Sequence, residues 1–306
     1  MALGSSHLSS TTLDKLIPEI WGSKINDFFK EELVFASFFT DRSDELVGGG
    51  DVIHTPGLTA MSAATKSNGS QVTLNNPTES AVDLTVTTWK EVSFLIEDRE
   101  AAIVMRSYTL QERYAKNAAF VAAEVLEIAI GALFSGFSGT VGASTTNLAD
   151  SEIRSAIAQL GTNKVPFGWT AGGLATEVAF FVSPNVFWKQ IQNIDKFSLA
   201  INSPVNDPTA KKPAGFLYGI PVFVSVNVPF VSGSTGKYNA LAHKDAIHFA
   251  TQGLQPVGAN SMLGKYGVRV QTNYIPEYLA YLTTADVCYG VIENRDNAGI
   301  AILTAA

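Results

Sequence analysis

Cysteine is all but missing from this 306-residue chain, because Cys288 stands alone. That excludes an intrachain disulfide and any zinc-ribbon spacing, and it suits a reducing compartment. Charge is scarce too. Charged residues make up 16% of the sequence, below the usual quarter, as expected of a protein that covers much of itself with copies of itself. The net charge is -7 and no basic run exceeds Lys211 with Lys212, which argues against binding duplex nucleic acid through clustered lysine and arginine. Residues 1–15 lack a basic segment followed by an apolar one, so no signal peptide is expected. The most apolar stretch, 120–134, is interrupted by Glu124 and Glu127. It reads as too short for the about 20 residues that span a membrane, so a soluble protein is expected.

Patterns that carry chemistry are missing as well. The four histidines are His7, His54, His243 and His248, and the last two, five apart, share neither a helix face nor a strand face. No metal-ligand spacing results. Cys288 lies in the apolar run Val287-Cys288-Tyr289 and reads as an inert buried thiol. The run Gly233-Ser234-Thr235-Gly236-Lys237 is half a phosphate loop, with Val231 and Tyr238 where a glycine and a hydroxyl residue are required. It reads as a hairpin turn. Gly136-Phe137-Ser138-Gly139 misses a nucleophile elbow by one residue, and Asn68-Gly69-Ser70 is a turn. The acid pairs Glu31-Glu32, Asp44-Glu45 and Glu97-Asp98 are adjacent, and neighbours on a helix diverge rather than clasp a substrate. No enzyme, cofactor or metal is expected.

What the chain does have is length and pattern. A chain of this size buries roughly three quarters of its unfolded surface, and about two domains are expected. The spacing predicts a helix over 109–134, proline-free and opened by a Thr109/Glu112 capping box. At 1.5 Å per residue it spans about 39 Å. Its apolar stripe is Leu110, Tyr114, Ala118, Val121, Val125, Ile128 and Ala132. Arg113, Lys116, Asn117, Glu124 and Glu127 fall opposite, facing solvent or a neighbouring subunit. A glycine-serine tract at 131–144 ends the helix and marks a domain boundary.

Near the N-terminus, Pro18 opens a short amphipathic helix with Ile20, Trp21, Ile25, Phe28, Phe29 and Leu33, serving as core or reaching across to another subunit. Gly48-Gly49-Gly50 precedes a strand at 52–55, and a polar stretch follows to residue 83. Residues 84–96 then alternate as a strand of about 43 Å. Together they predict a long hairpin with a polar tip, which either folds back on its own domain or lies on a partner, since an isolated ribbon is marginal in water.

Further on, 151–160 reads as a helix capped by Asp150 and closed by Gly161, 177–182 as a buried strand, and Ser183-Pro184 as the opening of a helix. Residues 195–215 read as a loop, 219–224 as a strand, and 240–249 as a strand with a short helical turn. Strands are expected at 268–273, 277–282 and 286–292, then a tail. The class is α+β, without a regular βαβ repeat.

The order of these parts resembles the major capsid proteins of tailed bacteriophages, the Hong Kong 97-type capsid fold. Phe28-Phe29 with Leu33-Val34-Phe35 resembles that family's N-terminal arm, and Asp41-Arg42 with 49–56, Gly-Gly-Asp-Val-Ile-His-Thr-Pro, its approach to an extended loop. Phe94-Leu95-Ile96-Glu97-Asp98 with Ala101-Ala102 is similar to the return into a spine helix. Residues 216–222 with Asn227-Val228-Pro229, and 242–250, are similar to later strands of the fold.

The resemblance covers nearly the whole chain. It implies an N-terminal arm (1–35), an extended β-hairpin loop (52–90), a peripheral domain (36–51, 91–144 and 265–306) with spine helix 109–134, and an axial domain with a central sheet (145–264). It further implies a structural, non-enzymatic subunit that self-assembles into pentamers and hexamers of an icosahedral shell around phage double-stranded DNA. Such a shell is assembled in the host bacterial cytoplasm without a membrane. Expected partners are further copies, a portal protein, and separate scaffolding or decoration proteins, since no scaffolding or protease domain is recognisable here.

Intersubunit contacts are expected from Lys66, Asn68, Gln71, Glu79, Asp83 and Trp89 of the loop, and from Trp21, Phe28 and Phe29 of the arm. The polar face of the spine helix supplies Arg113, Lys116, Glu124 and Glu127, and the axial loop Asp195, Lys196, Asp207, Lys211 and Lys212. Two alternatives remain, an encapsulin-like cellular compartment on the same fold and a monomeric hydrolase with an irregular site.

Overall fold

The computed structural model describes residues 33–46, 50–58, 61–99, 110–191, 194, 215–231, 233, 235–254, 261–263 and 265–306. Four helices are present among them: α1 (Phe35–Phe38), α2 (Leu110–Ala132), α3 (Asp150–Thr162) and α4 (Pro184–Lys189). The strands of the first half are β1 (Thr40–Asp41), β2 (Val52–Leu58), β3 (Glu79–Thr85), β4 (Thr88–Glu97), β5 (Gly139–Gly142) and β6 (Val178–Val182). Those of the second half are β7 (Gly215–Leu217), β8 (Ile220–Val224), β9 (Gly236–His243), β10 (Ile247–Gln252), β11 (Ser261–Leu263), β12 (Arg269–Ile275), β13 (Ala280–Glu293) and β14 (Gly299–Ala305).

They form two six-stranded sheets and a two-stranded ribbon. One sheet runs β1-β10-β13-β12-β11, with β4 on the other edge of β13. The second runs β5-β14-β9-β6-β8-β7, and β2 with β3 make the ribbon. The run Val-Ala-Phe-Phe-Val of β6 is buried at every position, as a central strand covered on both faces must be. Ser183 caps α4 by accepting a hydrogen bond from the Val186 N–H, which fits the Ser-Pro reading.

A phenylalanine cluster joins the two sheets. Phe181 of β6 lies 5.4 Å from Phe35 and 5.2 Å from Phe39, ring centre to ring centre, and Phe35 lies 5.1 Å from Phe134 beyond the end of α2. Such edge-to-face and stacked pairs add about 1 kcal/mol each to the area they bury.

Several elements differ from the sequence expectation. The strand expected over 84–96 is two strands: β3 ends at Thr85, and β4 pairs with β13 from Thr88↔Tyr289 to Glu97↔Ala280. The strands expected at 277–282 and 286–292 are one 14-residue strand, β13. The expected tail is β14, held between β5 and β9 in the second sheet. Residues 240–249 contain no helical turn but two strands, β9 and β10, in different sheets. Helix α3 includes Asp150. Its N-cap is Ala149, whose N–H donates to the Glu152 carboxylate at 2.7 Å.

The central helix also departs from its expected face. It buries Ala118, Ala122, Leu126 and Ile130, a row stepping by four, whereas Tyr114 and Ile128 of the expected stripe are half exposed. Residues 113–135 are long and apolar enough, by length and composition alone, to cross a membrane, so the stretch is longer than the sequence reading allowed. Here the buried row packs on the first sheet and the phenylalanine cluster.

Candidate assembly surfaces

The ribbon is built from Val52↔Thr85 to Leu58↔Glu79 in antiparallel register. Its root is fastened to the body. Ile53, Leu84 and Val86 pack with Leu46, Ala250 and Cys288, and Arg42 reaches Thr55 Oγ1 at 2.5 Å while forking onto Glu45 with two bonds of 2.6 Å. That fork holds the Glu45 carboxyl below, and the guanidinium above, their ordinary values. Farther out, His54 Nδ1 lies 2.7 Å from Asp83 Oδ1 across the strands.

Beyond Leu58 and Glu79 the outer part, 61–78, is exposed at every residue. Within it, Asn75 Nδ2 donates to Ser62 O at 2.9 Å, and Lys66 Nζ donates to Ser67 O at 2.8 Å and to Ser70 O. Yet it carries large apolar side chains in water. Leu58 is 83% exposed, Met61 72%, Val72 68% and Leu74 85%. Exposed leucines of this kind make the ribbon a candidate assembly surface.

Of the expected loop contacts, Lys66, Asn68, Gln71, Glu79 and Asp83 lie exposed along this ribbon. Trp89 does not. It sits in β4 opposite Cys288, and its indole N–H donates to Asp286 Oδ2 at 3.0 Å. Asp286 is buried and bridged by Arg269 at 2.6 and 2.9 Å. Trp89 is nevertheless 64% exposed, so its ring face remains open.

On α2, Lys116 is exposed and Arg113 and Glu124 are half-buried. Glu127 overturns its expected place on a solvent-facing side. It is 0% exposed, and its carboxylate accepts from the N–H groups of Val34 (2.5 Å), Phe35 (2.7 Å) and Ala36 (3.1 Å). A buried carboxylate persists only when donors replace its water, and the start of α1 supplies them. Trp21, Phe28, Phe29, Asp195, Lys196, Asp207, Lys211 and Lys212 lie outside the described residues.

Among the described residues no group of three His, Cys, Asp or Glu side chains could hold a metal ion. His243 and His248 sit in different strands, the first accepting from the Asp245 N–H at 3.1 Å and the second 3.2 Å from the Asn294 amide. Burial pulls the His248 pKa down and pushes the Cys288 thiol up. Lys237 of the half phosphate loop is buried, donating to Val228 O at 2.7 Å with its ammonium 3.4 Å from the Phe230 ring centre. The turn it closes pairs Phe230 with Lys237, the hairpin expected from the sequence.

Sequence reasoning missed a carboxyl pair. Glu293 ends β13 beside Asp296, which accepts from the Ser138 N–H at 2.6 Å. Burial, and next Asp296, push the Glu293 pKa up to about 7. Their spacing by three residues after a long apolar strand was the available signal.

No family model and no curated protein matches this sequence. Solved structures do match. One from Mycobacterium phage Che8 superposes with a TM-score of 0.71 at 19% identity, over 94% of this chain and 96% of that one. The capsid of cyanophage P-SCSP1u gives 0.71 at 13% identity, over 99% and 97%. The capsid of a native GTA particle gives 0.62 at 10% identity, over 98% and 99%. The architecture is therefore that of bacteriophage capsid proteins. More particularly, the chain has the Hong Kong 97-type capsid fold, matched over nearly its whole length.

Proposed function

We propose that this chain is the major capsid subunit of a tailed bacteriophage, assembling as pentamers and hexamers into an icosahedral shell that encloses double-stranded DNA. The observation that carries the reading is the ribbon. Its outer part is exposed at every residue, and the ribbon holds Leu58, Met61, Val72 and Leu74 in solvent, so a neighbouring copy is the partner that would cover it. A stable protein interface buries about 1,600 Å² in total, and a subunit with several such contacts closes a container without any one being strong. The likeness to phage and GTA capsids supports the same reading.

In this proposal residues 1–35 form an arm that crosses to a neighbour through Trp21, Phe28 and Phe29. Residues 52–90 lie over an adjacent subunit. Residues 36–51, 91–144 and 265–306 form the peripheral part, and 145–264 the axial part, with Asp195, Lys196, Asp207, Lys211 and Lys212 near the capsomer centre. A portal and separate scaffolding or decoration proteins would complete the particle, assembled in the host cytoplasm. The role is structural rather than catalytic.

Electron microscopy and mass measurement of the purified protein test it. Closed shells built from this chain are expected, and a stable 32.6 kDa monomer at all concentrations would falsify the proposal.

A further inference from the structure

One exposed turn of the ribbon is pinned at its ends and free at its centre. Residues 67–70 form this turn, closed by the Ser70 N–H, which donates to Ser67 O at 3.3 Å. Side chains fasten the same two ends. Ser70 Oγ donates to Ser67 O at 2.8 Å, and Lys66 Nζ donates to Ser67 O at 2.8 Å and to Ser70 O. The central residues are Asn68 and Gly69, and Asn68 is the chain's only asparagine followed by glycine. Both are exposed, and among the described residues neither the Asn68 side chain nor the Gly69 N–H makes a hydrogen bond.

That freedom exposes a reaction internal to the chain. A backbone amide nitrogen can attack the side-chain carbonyl carbon of the asparagine before it, because the two atoms close a five-membered ring and no second molecule has to be captured. Gly69 lowers the obstacle to this approach. It lies at φ +78°, a region glycine enters without cost, and a Cβ placed on it would meet nothing within 4 Å, so the turn has room to rotate. Other asparagines lack these conditions. Asn75 donates to Ser62 O at 2.9 Å and accepts from the Ser62 hydroxyl at 3.1 Å, and Asn76 precedes Pro77, which has no N–H to attack with. In the body, Asn239 is 0% exposed and donates to Thr304 Oγ1 at 2.9 Å.

We propose that Asn68 is a site of spontaneous modification, converting through a succinimide to aspartate and isoaspartate. The Gly69 nitrogen bonds to Asn68 Cγ as the Cγ–Nδ2 bond breaks, and the side-chain nitrogen leaves as ammonia with the Gly69 proton. Water then opens the ring at Cγ, giving aspartate, or at the backbone carbonyl, giving isoaspartate with the chain running through Cγ. Either product adds one negative charge to the ribbon, and isoaspartate also lengthens the backbone of the turn by one carbon. The modification stands apart from the proposed shell. Its consequence rests on that reading, because Asn68 lies on the stretch proposed to cover a neighbour: converted chains assemble less readily.

Ageing the purified chain at mildly alkaline pH, with mass spectrometry and fragment sequencing of its peptides, tests the site. A gain of about 1 Da that grows with time is expected at Asn68, separable into two isomers, with Asn75 and Asn239 unchanged. Gly69→Ala should slow the gain about tenfold through the Cβ it adds. No gain at Asn68, an equal gain at Asn75, or conversion of Gly69→Ala at the parent rate would each overturn the inference. For the consequence, aged chain should enter shells less than fresh chain, whereas Asn68→Gln chain should enter equally at both ages, since the longer side chain closes its ring far more slowly. Equal entry of aged and fresh parent chain would overturn the consequence and leave the site. Absence of shells by electron microscopy would instead remove the proposed function and leave the mass change standing.

Discussion

Glu127 shows how a single residue can hold two distant parts of the chain. Its three donors lie 91 to 93 positions earlier in the sequence, and Glu127→Ala would leave them buried without an acceptor. At about 1–3 kcal/mol for each unsatisfied group, partly relieved by relaxation, a loss of about 3 kcal/mol is expected in denaturant unfolding. A loss under about 0.5 kcal/mol would mean the donors find water. Glu293 carries the clearest pH dependence. Its folded pKa of about 7 lies above the ordinary carboxyl value of 4.5, so its contribution to stability is full below pH 4.5 and is lost as pH rises through about 7. The melting temperature should fall with rising pH across that window in the parent and less so in Glu293→Gln; parallel curves would exclude the pair as the cause. Neither role was legible in the sequence. An acid in an amphipathic helix reads as solvent-facing, and the N–H groups that bury Glu127 belong to a segment that no local pattern connects to it.

Among the elements, β13 does the most to position the ribbon. A Cβ on Gly290 would sit 2.2 Å from Thr85 O, 2.8 Å from Thr85 C and 3.0 Å from Val86 Cα, all of them backbone atoms that cannot rotate away. Gly290→Ala should therefore push the ribbon root off the sheet and cost about 1–3 kcal/mol, with assembly lost before folding; unchanged stability and normal shells would contradict this. On α2 two effects compete at Gly131. Alanine is favoured over glycine in a helix by about 1 kcal/mol, but its Cβ would meet Asn227 O at 2.9 Å and Phe35 Cε2 at 3.0 Å. Since the carbonyl is backbone, the clash should win and Gly131→Ala should lower the melting temperature. The existence of α2 and β6 was legible, because long periodicity and a continuous apolar run are local signals. The split at 86–87 was not, because alternation persists through a change of partner and says nothing of register.

At the scale of the whole molecule the root of the ribbon belongs to the body, while its outer part, 61–78, is exposed at every residue. Removing residues 61–76 deletes side chains that are all exposed, so the melting temperature should stay within about 3 °C while shells fail to form. A large drop in stability would place the loop in the fold instead. If the shell encloses DNA as proposed, the net charge of -7 should keep that DNA from sticking to the subunit. Strong retardation of duplex DNA, weakening linearly with the logarithm of salt, would refute that. The α+β class, the long helix and the polar-tipped hairpin came from sequence alone, because each depends on composition or on spacing within one element. The burial of Glu127, the choice between two apolar rows on one helix, and the insertion of the last strand between β5 and β9 were decided only by tertiary structure. Each depends on contacts between residues far apart in the chain, and chain folding alone determines which of several suitable faces meet.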